Sequence, residues 1–402
     1  MYISIIFVVD EPGVRKLKNN VLMGYRRTDD QVGVRNYLGI IAVMDNSNPV
    51  VRSLESLLNG AVAICPGYGR GQIGEDFILH RRTVVGLGSN PNVGACLVIS
   101  LEPNSAKEIA DGIAKSGKPV EILTLQEDGG FIGVLEKGLR IGQELIFKIS
   151  AQQREPIGFN ELVLGVECGG SDATSGISSN PAVGLVSDWL VDNEGTVIMS
   201  EPTEWIGAEH ILMRRARSEE VAQEIKKCTE KYINIAKTQG LDFLKNNPTM
   251  DNIKGGLSTI EDKALGAIRK GGTRIIEGLL SYGESPKGNG LFLMDAPAAA
   301  VENLTAIAAG GASLILFSTG RSNPIGFPIV PIIKVSGNRN TVKFMKSDID
   351  VDVSEVMVGS SDLEWARNQI LAILNSVING QMTKNEILKN VEMSVSRIGE
   401  SI

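Results

Sequence analysis

The densest group of reactive side chains in the sequence is the run CGGSDATSG at residues 168–176. Cys168 supplies a thiol and Asp172 a carboxylate, the serines and threonine supply hydroxyl groups, and the glycines let backbone amides approach a bound anion closely. The run follows the apolar, strand-like segment 162–166 and precedes the helix-like segment 180–191. Since anions bind where a strand leads into a helix N-terminus, this loop predicts a site for an acidic ligand.

Carboxylates and an imidazole follow another strand-like segment, at residues 196–199. Glu201 and Glu204 come shortly after it, and His210 closes the group. Carboxylate oxygens combined with an imidazole nitrogen suit a hard or borderline divalent metal ion. A surface or core position is the alternative interpretation of His210. The predicted metal ligands are Cys168, Asp172, Glu204 and His210.

Arginines near predicted loops are candidates for binding the acidic groups of a substrate. Arg321 follows the apolar segment 313–317, and two arginines lie close to His80. An arginine binds a carboxylate through two parallel hydrogen bonds. A structural position is the alternative interpretation of His80. The predicted substrate-binding residues are Arg70, His80, Arg82, Asn90, Asn92, Ser171, Asn252 and Arg321.

The segment 247–263 joins a polar loop to a helix and places an amide, an ammonium group and two adjacent glycines together. This combination indicates a substrate loop. A lysine acts as a base only where burial or a neighbouring cation lowers its pKa. The predicted catalytic residues are Asp172, Glu201, His210, Lys254 and Lys263.

Composition excludes several classes of protein. The chain has a net charge of -7 and no basic tract, so nucleic acid is not a predicted partner. Its four cysteines are scattered, which indicates a reducing, cytoplasmic setting. The apolar opening at residues 1–9 is too short for a membrane span and lacks the basic leader of a signal peptide. The run GRGQIG at 69–74 matches a dinucleotide pattern, but the expected acidic residue is missing downstream.

Strand-like and helical segments alternate along the 402 residues, which predicts two α/β domains with largely parallel sheets. The polar segment 152–156 is interpreted as a linker, and the tail from Thr383 as peripheral. The predicted divisions are an N-terminal extension at 1–22, a first domain at 23–155 and a second at 156–395. The predicted strands lie at 37–43, 61–64, 95–100, 120–124, 162–166, 196–199, 275–280, 313–317 and 329–335.

Several short motifs occur in a fixed order: GYR at 24–26, GVRN at 33–36, NPNV at 90–93, CGGSD at 168–172, NPA at 180–182, SE at 200–201, GGLSTIE at 255–261, MD at 294–295 and STGR at 318–321. Together they resemble the altronate/galactarate dehydratase family. The resemblance implies elimination of water or sulfite from a hydroxy acid and, for the dehydratases, dependence on Fe²⁺ or Mn²⁺. It also implies a small SAF-type domain, which has no place in this sequence and is expected as a separate small subunit.

Further motifs resemble the large subunit of the sulfolactate sulfo-lyase branch: YGR at 68–70, Asp76, His80, RT at 82–83, AAAV at 298–301 and DVDVS at 350–354. Other positions depart from the family pattern. Pro66 and Arg70 replace a histidine and a cysteine of the dehydratases, and Ser89 replaces a cysteine of the sulfo-lyase. Gly170 and Arg321 are similar to the dehydratases.

The function expected from this pattern is β-elimination from a small 2-hydroxy acid, with sulfolactate as substrate and pyruvate and sulfite as products. Dehydration of a sugar acid such as altronate or galactarate is the first alternative. A non-catalytic binding subunit is the second, because soft ligands of the family are replaced. A homo-oligomer is also expected, since symmetric assembly is common among soluble enzymes.

Overall fold

The computed structural model describes residues 21–243 and 247–402, and within them the chain forms two parallel β-sheets surrounded by helices. This architecture confirms the α/β fold that the alternating pattern predicts. The predicted N-terminal extension lies almost entirely outside the described residues, and the domain divisions stay predictions.

The N-terminal half contains a four-stranded parallel sheet and a small antiparallel sheet. Its strands are β1 (Met23–Arg26), β2 (Val32–Gly33), β3 (Tyr37–Ala42), β4 (Ala61–Ile64), β5 (Val93–Ser100), β6 (Val120–Thr124) and β7 (Glu155–Pro156). Its helices are α1 (Asn48–Leu57), α2 (Gly74–Ser89), α3 (Pro103–Ala114) and α4 (Gly130–Ser150). The parallel sheet has the order β4-β3-β5-β6, and β1 pairs with β2 and β7 in antiparallel fashion.

Local sequence explains these elements. Every residue of β5 is buried, as expected for the continuous apolar run of a strand covered on both faces. Helix α3 begins with Pro103, and the Glu102 carboxylate accepts hydrogen bonds from the amides of Asn104 and Ser105. These amides have no partner within the helix, so the cap and the proline define where α3 starts.

The C-terminal half contains a seven-stranded sheet in which every pairing is parallel. Its strands are β8 (Val163–Cys168), β9 (Thr196–Met199), β10 (Ile276–Leu280), β11 (Gly290–Met294), β12 (Leu314–Ser318), β13 (Ile332–Ser336) and β14 (Val351–Asp352), in the order β10-β11-β9-β8-β12-β13-β14. Its helices are α5 (Asn180–Asp192), α6 (Glu209–Arg214), α7 (Glu219–Thr238), α8 (Met250–Lys254), α9 (Ile260–Ala267), α10 (Ala300–Ala309), α11 (Arg339–Phe344), α12 (Leu363–Ile378) and α13 (Lys384–Leu388). No helix within residues 21–243 and 247–402 is long and apolar enough to cross a membrane.

The two halves share part of their hydrophobic core. One cluster of buried side chains combines Ile41 and Val84 from the first half with Ile307 and Phe317 from the second. Helices α2 and α10 approach closely at Gly86, where an added Cβ would lie 2.4 Å from the carbonyl oxygen of Ala309. The halves are therefore packed against each other rather than joined by a loose linker.

Two sequence-based expectations about connecting segments are wrong. The segment 152–156, predicted as a linker, contains β7, which pairs with β1. The tail from Thr383, predicted to be peripheral, places Met393 and Val395 in the shared core. It then reaches the first half, where the Asp76 carboxylate accepts hydrogen bonds from the amides of Ile398 and Gly399 at 2.6 and 2.8 Å. Alternating apolar residues in a polar segment are too weak a signal to predict this packing.

Candidate active site

The carboxyl ends of β8 and β12 form the crevice at which the connections of the larger sheet change direction. β8 leads to β9 on one side, whereas β12 leads to β13 on the other. Open α/β sheets bind their ligands at this position. The loops after the two strands are in contact, because Gly169 N donates to Ser318 O at 3.1 Å and Arg321 N donates to Gly170 O at 2.8 Å. The structure thus brings together two predicted loops that are far apart in the sequence.

Asp172 is anchored within the first of these loops. Its Oδ1 accepts hydrogen bonds from Thr174 Oγ1 at 2.6 Å and Ser175 N at 2.9 Å, and its Oδ2 accepts one from Asn338 Nδ2 at 2.8 Å. The side chain is buried and stands at the start of a π-helix, Ser175–Ser179. Short π-helical turns are frequent at functional sites. Both carboxylate oxygens are therefore engaged in shaping the loop.

A chain of polar contacts leads inward from the loop to Glu204. Cys168 Sγ and Ser171 Oγ share a hydrogen bond of 2.9 Å, and Ser171 Oγ donates to Glu204 Oε1 at 3.3 Å. The Asn252 amide supports the loop, since its Nδ2 donates to the main-chain oxygen of Ser171 at 2.8 Å. Burial raises the pKa of Cys168 to about 11, so the thiol stays protonated at neutral pH.

Glu204 forms a fully buried ion pair with Lys270, a residue that the sequence-based prediction missed. Burial alone would lower the pKa of Lys270, but the carboxylates of Glu204 and Glu167 raise it above its usual value. Lys270 lies in the 3-10 turn Ile268–Gly271, directly after α9. The pair is therefore a charged centre enclosed by protein.

Two further carboxyl groups lie close to this ion pair, and the pKa of each is raised, which favours the protonated form. Burial raises the pKa of Glu167 to about 7, and burial raises that of Glu201 well above its usual value. The negative charge of Glu204 acts in the same direction on both. Glu201 also has a left-handed backbone with φ of 68°, a conformation that costs energy for a residue other than glycine. These are features of groups that exchange protons in active sites.

Lys334 is a second buried lysine, placed across the sheet from Glu167. Phe317 of β12 is the register partner of Glu167 on one side and Lys334 on the other. Lys334 Nζ lies 3.3 Å from the centroid of the Phe317 ring and, within the described residues, has no hydrogen-bond partner. Burial lowers the pKa of Lys334 well below its usual value. Lys334 thus lies buried on β13, the second strand from one edge of the sheet, where burial favours the neutral amine.

A cavity of about 550 Å³ lies beside the Asp172 loop, and this size is common for small-molecule sites. Its wall includes Ala173 and Gly256. These residues directly follow Asp172 and Gly255, which are in tight contact with each other. Much of the wall is apolar. Charged groups in the wall come from Arg215, Asp262 and Arg269.

The remaining predicted residues of the second half are less buried than this centre. Lys263 is half-buried, and its Nζ donates to Asn247 Oδ1 at 3.1 Å. It lies close enough to Glu201 to influence that carboxyl group. Lys254, His210 and the side chain of Arg321 are exposed.

The predicted residues of the first half have other surroundings in the described part of the chain. Arg70 is exposed, and Arg82 Nε donates to Tyr282 O at 2.8 Å. The buried ring of His80 contacts Val43 O at 3.0 Å through Nε2, and burial lowers its pKa. The substrate contacts of Arg70, His80 and Arg82 stay predictions.

Asn90 and Asn92 have a structural role that differs from the predicted contact with substrate. Asn90 Nδ2 donates to the main-chain oxygens of Ala308 and Ala312, and Asn92 Nδ2 donates to those of Ser313 and Ile329. Both amides are buried at the boundary between the two halves. Their donors are used in joining these halves, which leaves none for a ligand.

The four predicted metal ligands, Cys168, Asp172, Glu204 and His210, do not fit a shared ion. His210 is exposed whereas the others are buried. Glu204 is paired with Lys270, and both oxygens of Asp172 accept hydrogen bonds. Within residues 21–243 and 247–402, no three His, Cys, Asp or Glu side chains stand close enough to bind one metal ion.

Sequence signals for the missed residues exist but are easily overlooked. Glu167 and Lys334 are charged residues inside otherwise apolar strands. A charge in a buried parallel strand is costly, so it indicates either a partner or a function. Lys270 precedes two consecutive glycines, a weaker signal of close packing.

Two family models match the chain. The model for D-galactarate dehydratase/altronate hydrolase, second domain, matches residues 24–150, and the model for D-galactarate/altronate dehydratase, C-terminal, matches residues 159–401. The chain is similar to (2R)-sulfolactate sulfo-lyase subunit beta of Chromohalobacter salexigens, with 38% identity over 96% of this chain and 100% of the relative. It is also similar to altronate dehydratase of Escherichia coli, with 31% identity over 94% of this chain and 78% of that relative. It is similar to galactarate dehydratase (L-threo-forming) of Escherichia coli as well, with 32% identity over 93% of this chain and 75% of that relative.

Proposed function

This chain belongs to the D-galactarate/altronate dehydratase family of lyases, and from that premise we propose that it eliminates sulfite from sulfolactate to give pyruvate. The observation that carries the proposal is the contact between the loops 168–172 and 318–321 beside a cluster of buried carboxyl groups whose pKa values are raised. The choice of sulfolactate follows the sulfo-lyase relative, which the alignment covers over its whole length.

The reaction breaks two bonds of the substrate. A base removes the proton on C2, the C3–S bond breaks, and sulfite leaves with the bonding electrons. The remaining enol takes up a proton on C3 and becomes the 2-oxo acid pyruvate. The difficult step is removal of the C2 proton, because negative charge accumulates on the substrate carboxylate and must be stabilised by positive charge or hydrogen bonds.

We assign roles from position and protonation state. The exposed guanidinium of Arg321, at the edge of the crevice, binds the substrate carboxylate. Glu167, with a pKa of about 7, is able to take up or release a proton at neutral pH, the condition for efficient acid–base catalysis. Burial raises the pKa of Glu201 well above its usual value, so we assign its carboxyl group as the proton donor. Lys263, close to Glu201, is the alternative base.

We also propose that the active form contains a second, small subunit. The support is that the sulfo-lyase relative is named as a beta subunit. A complex of large and small subunits, itself repeated symmetrically, agrees with the common assembly of soluble enzymes.

A turnover assay tests the proposal. The chain is purified with and without a co-expressed small subunit and incubated anaerobically with sulfolactate, altronate or galactarate, each with and without Fe²⁺ or Mn²⁺. Equal release of pyruvate and sulfite from sulfolactate is the expected result. A 2-keto-3-deoxy acid from a sugar acid would instead identify a dehydratase. No turnover of any substrate with the small subunit present would favour a non-catalytic binding subunit.

A further inference from the structure

We propose that the ammonium group of Lys270 is the resident cation of the candidate active site and takes the place of the divalent metal ion expected from the family resemblance. The inference rests on the proposed function, because it concerns the same crevice. It reverses the sequence-based expectation of Fe²⁺ or Mn²⁺ bound by Cys168, Asp172, Glu204 and His210.

Each oxygen of the Glu204 carboxylate already has a partner. Its Oε2 pairs with Lys270 Nζ, and its Oε1 accepts the hydrogen bond from Ser171 Oγ at 3.3 Å. The two charged side chains are 1% and 2% exposed, so solvent screens their attraction very little. A metal ion at Glu204 would therefore have to share an oxygen with the ammonium group or with the serine hydroxyl.

Close backbone packing fixes the position of Lys270. A Cβ added to Gly184 of α5 would lie 2.0 Å from the carbonyl oxygen of Arg269, and one added to Gly271 would lie 2.6 Å from Met199 Sδ. Ser187 Oγ donates to the carbonyl oxygen of Lys270 itself at 2.7 Å. The segment that carries Lys270 is therefore pressed against α5 and β9 and has no room to withdraw when another cation approaches.

The other predicted ligands are committed elsewhere. Three donors occupy the Asp172 carboxylate, and the Cys168 thiol is hydrogen-bonded to Ser171. His210 is exposed, away from these buried groups. A divalent ion would in addition be repelled by the fixed ammonium group in an environment of low dielectric constant.

Lys270 acts through Glu204 and is a positioning residue. The ion pair fixes the Glu204 carboxylate, which in turn holds Ser171 in the loop that contacts residues 318–321. Without the ammonium group, a buried carboxylate would lose its partner, a change that strongly perturbs protein interiors. The loop is then expected to lose its position in the crevice.

The first test measures Mn²⁺ binding to the wild-type protein and to Glu204→Gln, both freed of metal with a chelator, by electron paramagnetic resonance of unbound Mn²⁺. We expect no stoichiometric Mn²⁺ binding to either protein. Stoichiometric binding to the wild type would overturn the proposal, and its loss in Glu204→Gln would place the ion at this carboxylate. Cys168→Ala replaces Glu204→Gln if that variant does not fold. Because this measurement does not depend on turnover, it remains valid if sulfolactate is the wrong substrate.

The second test restores the missing cation chemically. We expect Lys270→Ala to lose activity by about 100-fold or more, the size of effect that follows a displacement of about 1 Å in an active site. Added n-propylammonium should recover activity several-fold, whereas uncharged 1-propanol and Mn²⁺ should not. Lys148→Ala, an exposed position on α4, is the control and should behave as the wild type. Rescue by Mn²⁺ but not by n-propylammonium would contradict the proposal.

Discussion

The Asp172 carboxylate lies directly against the α-carbon of Gly320. A Cβ added at residue 320 would be 2.1 Å from both Cγ and Oδ1 of Asp172, far inside van der Waals contact. The carboxylate cannot move aside, since Thr174, Ser175 and Asn338 all donate hydrogen bonds to it. The two loops of the crevice are therefore fitted together through a glycine and an acid.

Gly320→Ala should separate these loops. We expect a loss of stability of roughly 1–3 kcal/mol from overpacking and a fall in kcat/KM of at least about tenfold from the displaced loop. Thermal unfolding and turnover measure the two effects. Gly278→Ala is the matched control, because a Cβ there would meet Phe292 at an ordinary 3.7 Å. Equal behaviour of the two variants would show that the contact is not important.

Exchanging the hydrogen-bonded partners Asp172 and Asn338 distinguishes a structural role of Asp172 in the loop from a chemical role of its negative charge. Asp172→Asn alone places a new amide NH₂ group against that of Asn338, so two donors face each other. This variant should lose about 1–3 kcal/mol of folding stability. The double variant with Asn338→Asp restores the hydrogen bond in the opposite direction and should recover most of that stability. If Asp172 only shapes the loop, activity returns with stability. Recovery of stability without activity would instead assign a chemical role to the Asp172 carboxylate.

Glu167 makes folding stability depend on pH. Its pKa is about 7 in the folded protein, whereas the ordinary value is 4.5. Above pH 4.5 the folded protein therefore keeps a proton on Glu167 that the unfolded chain releases. The contribution is fully present below about pH 4.5 and disappears as pH rises to about 7, a decline on the order of 2–3 kcal/mol.

Glu167→Gln should lack this decline, because glutamine does not ionise. Chemical denaturation of the wild type and variant at several pH values between 4.5 and 7 measures it. Glu144→Gln, at an exposed position of α4, should retain the wild-type slope. Parallel curves for the wild type and Glu167→Gln would contradict the proposed protonation state.

The C-terminal tail should detach when Asp76 is changed. Asp76→Ala removes the acceptor of the Ile398 and Gly399 amides. We expect faster hydrogen exchange at residues 396–402 and a loss of about 1–2 kcal/mol. Asp111→Ala, which removes an exposed pair with Lys107 on α3, is the control. Unchanged exchange in the tail would show that other contacts hold it.

The longer strands and the helix α5 were predictable from the sequence, because apolar runs and helical spacing are local signals. The segments around β5 and α5 are examples. β11 was missed, since its five residues follow a glycine-rich turn and periodicity is weak over so short a run. The contact between the loops at 168–172 and 318–321 was also predictable, because the carboxyl ends of neighbouring parallel strands meet at one edge of a sheet.

The charged centre was not predictable in the same way. Lys270 reaches Glu204 because the segment around it packs against α5 at Gly184 and, through Gly271, against β9. These contacts join parts of the chain that are far apart in sequence. For Asn90 and Asn92 the sequence instead predicts a functional role where the structure shows a structural one. Polar residues in a recognisable motif resemble ligand contacts, although here their amides join the two halves.

The most direct test of the central claim is a nuclear magnetic resonance time course of sulfolactate turnover in D₂O, with the small subunit present. Elimination through an enol predicts that sulfite and pyruvate appear together and that the first pyruvate formed carries one deuterium on its methyl carbon. Release of sulfite with undeuterated pyruvate, or turnover of sulfolactate without sulfite, would contradict the account.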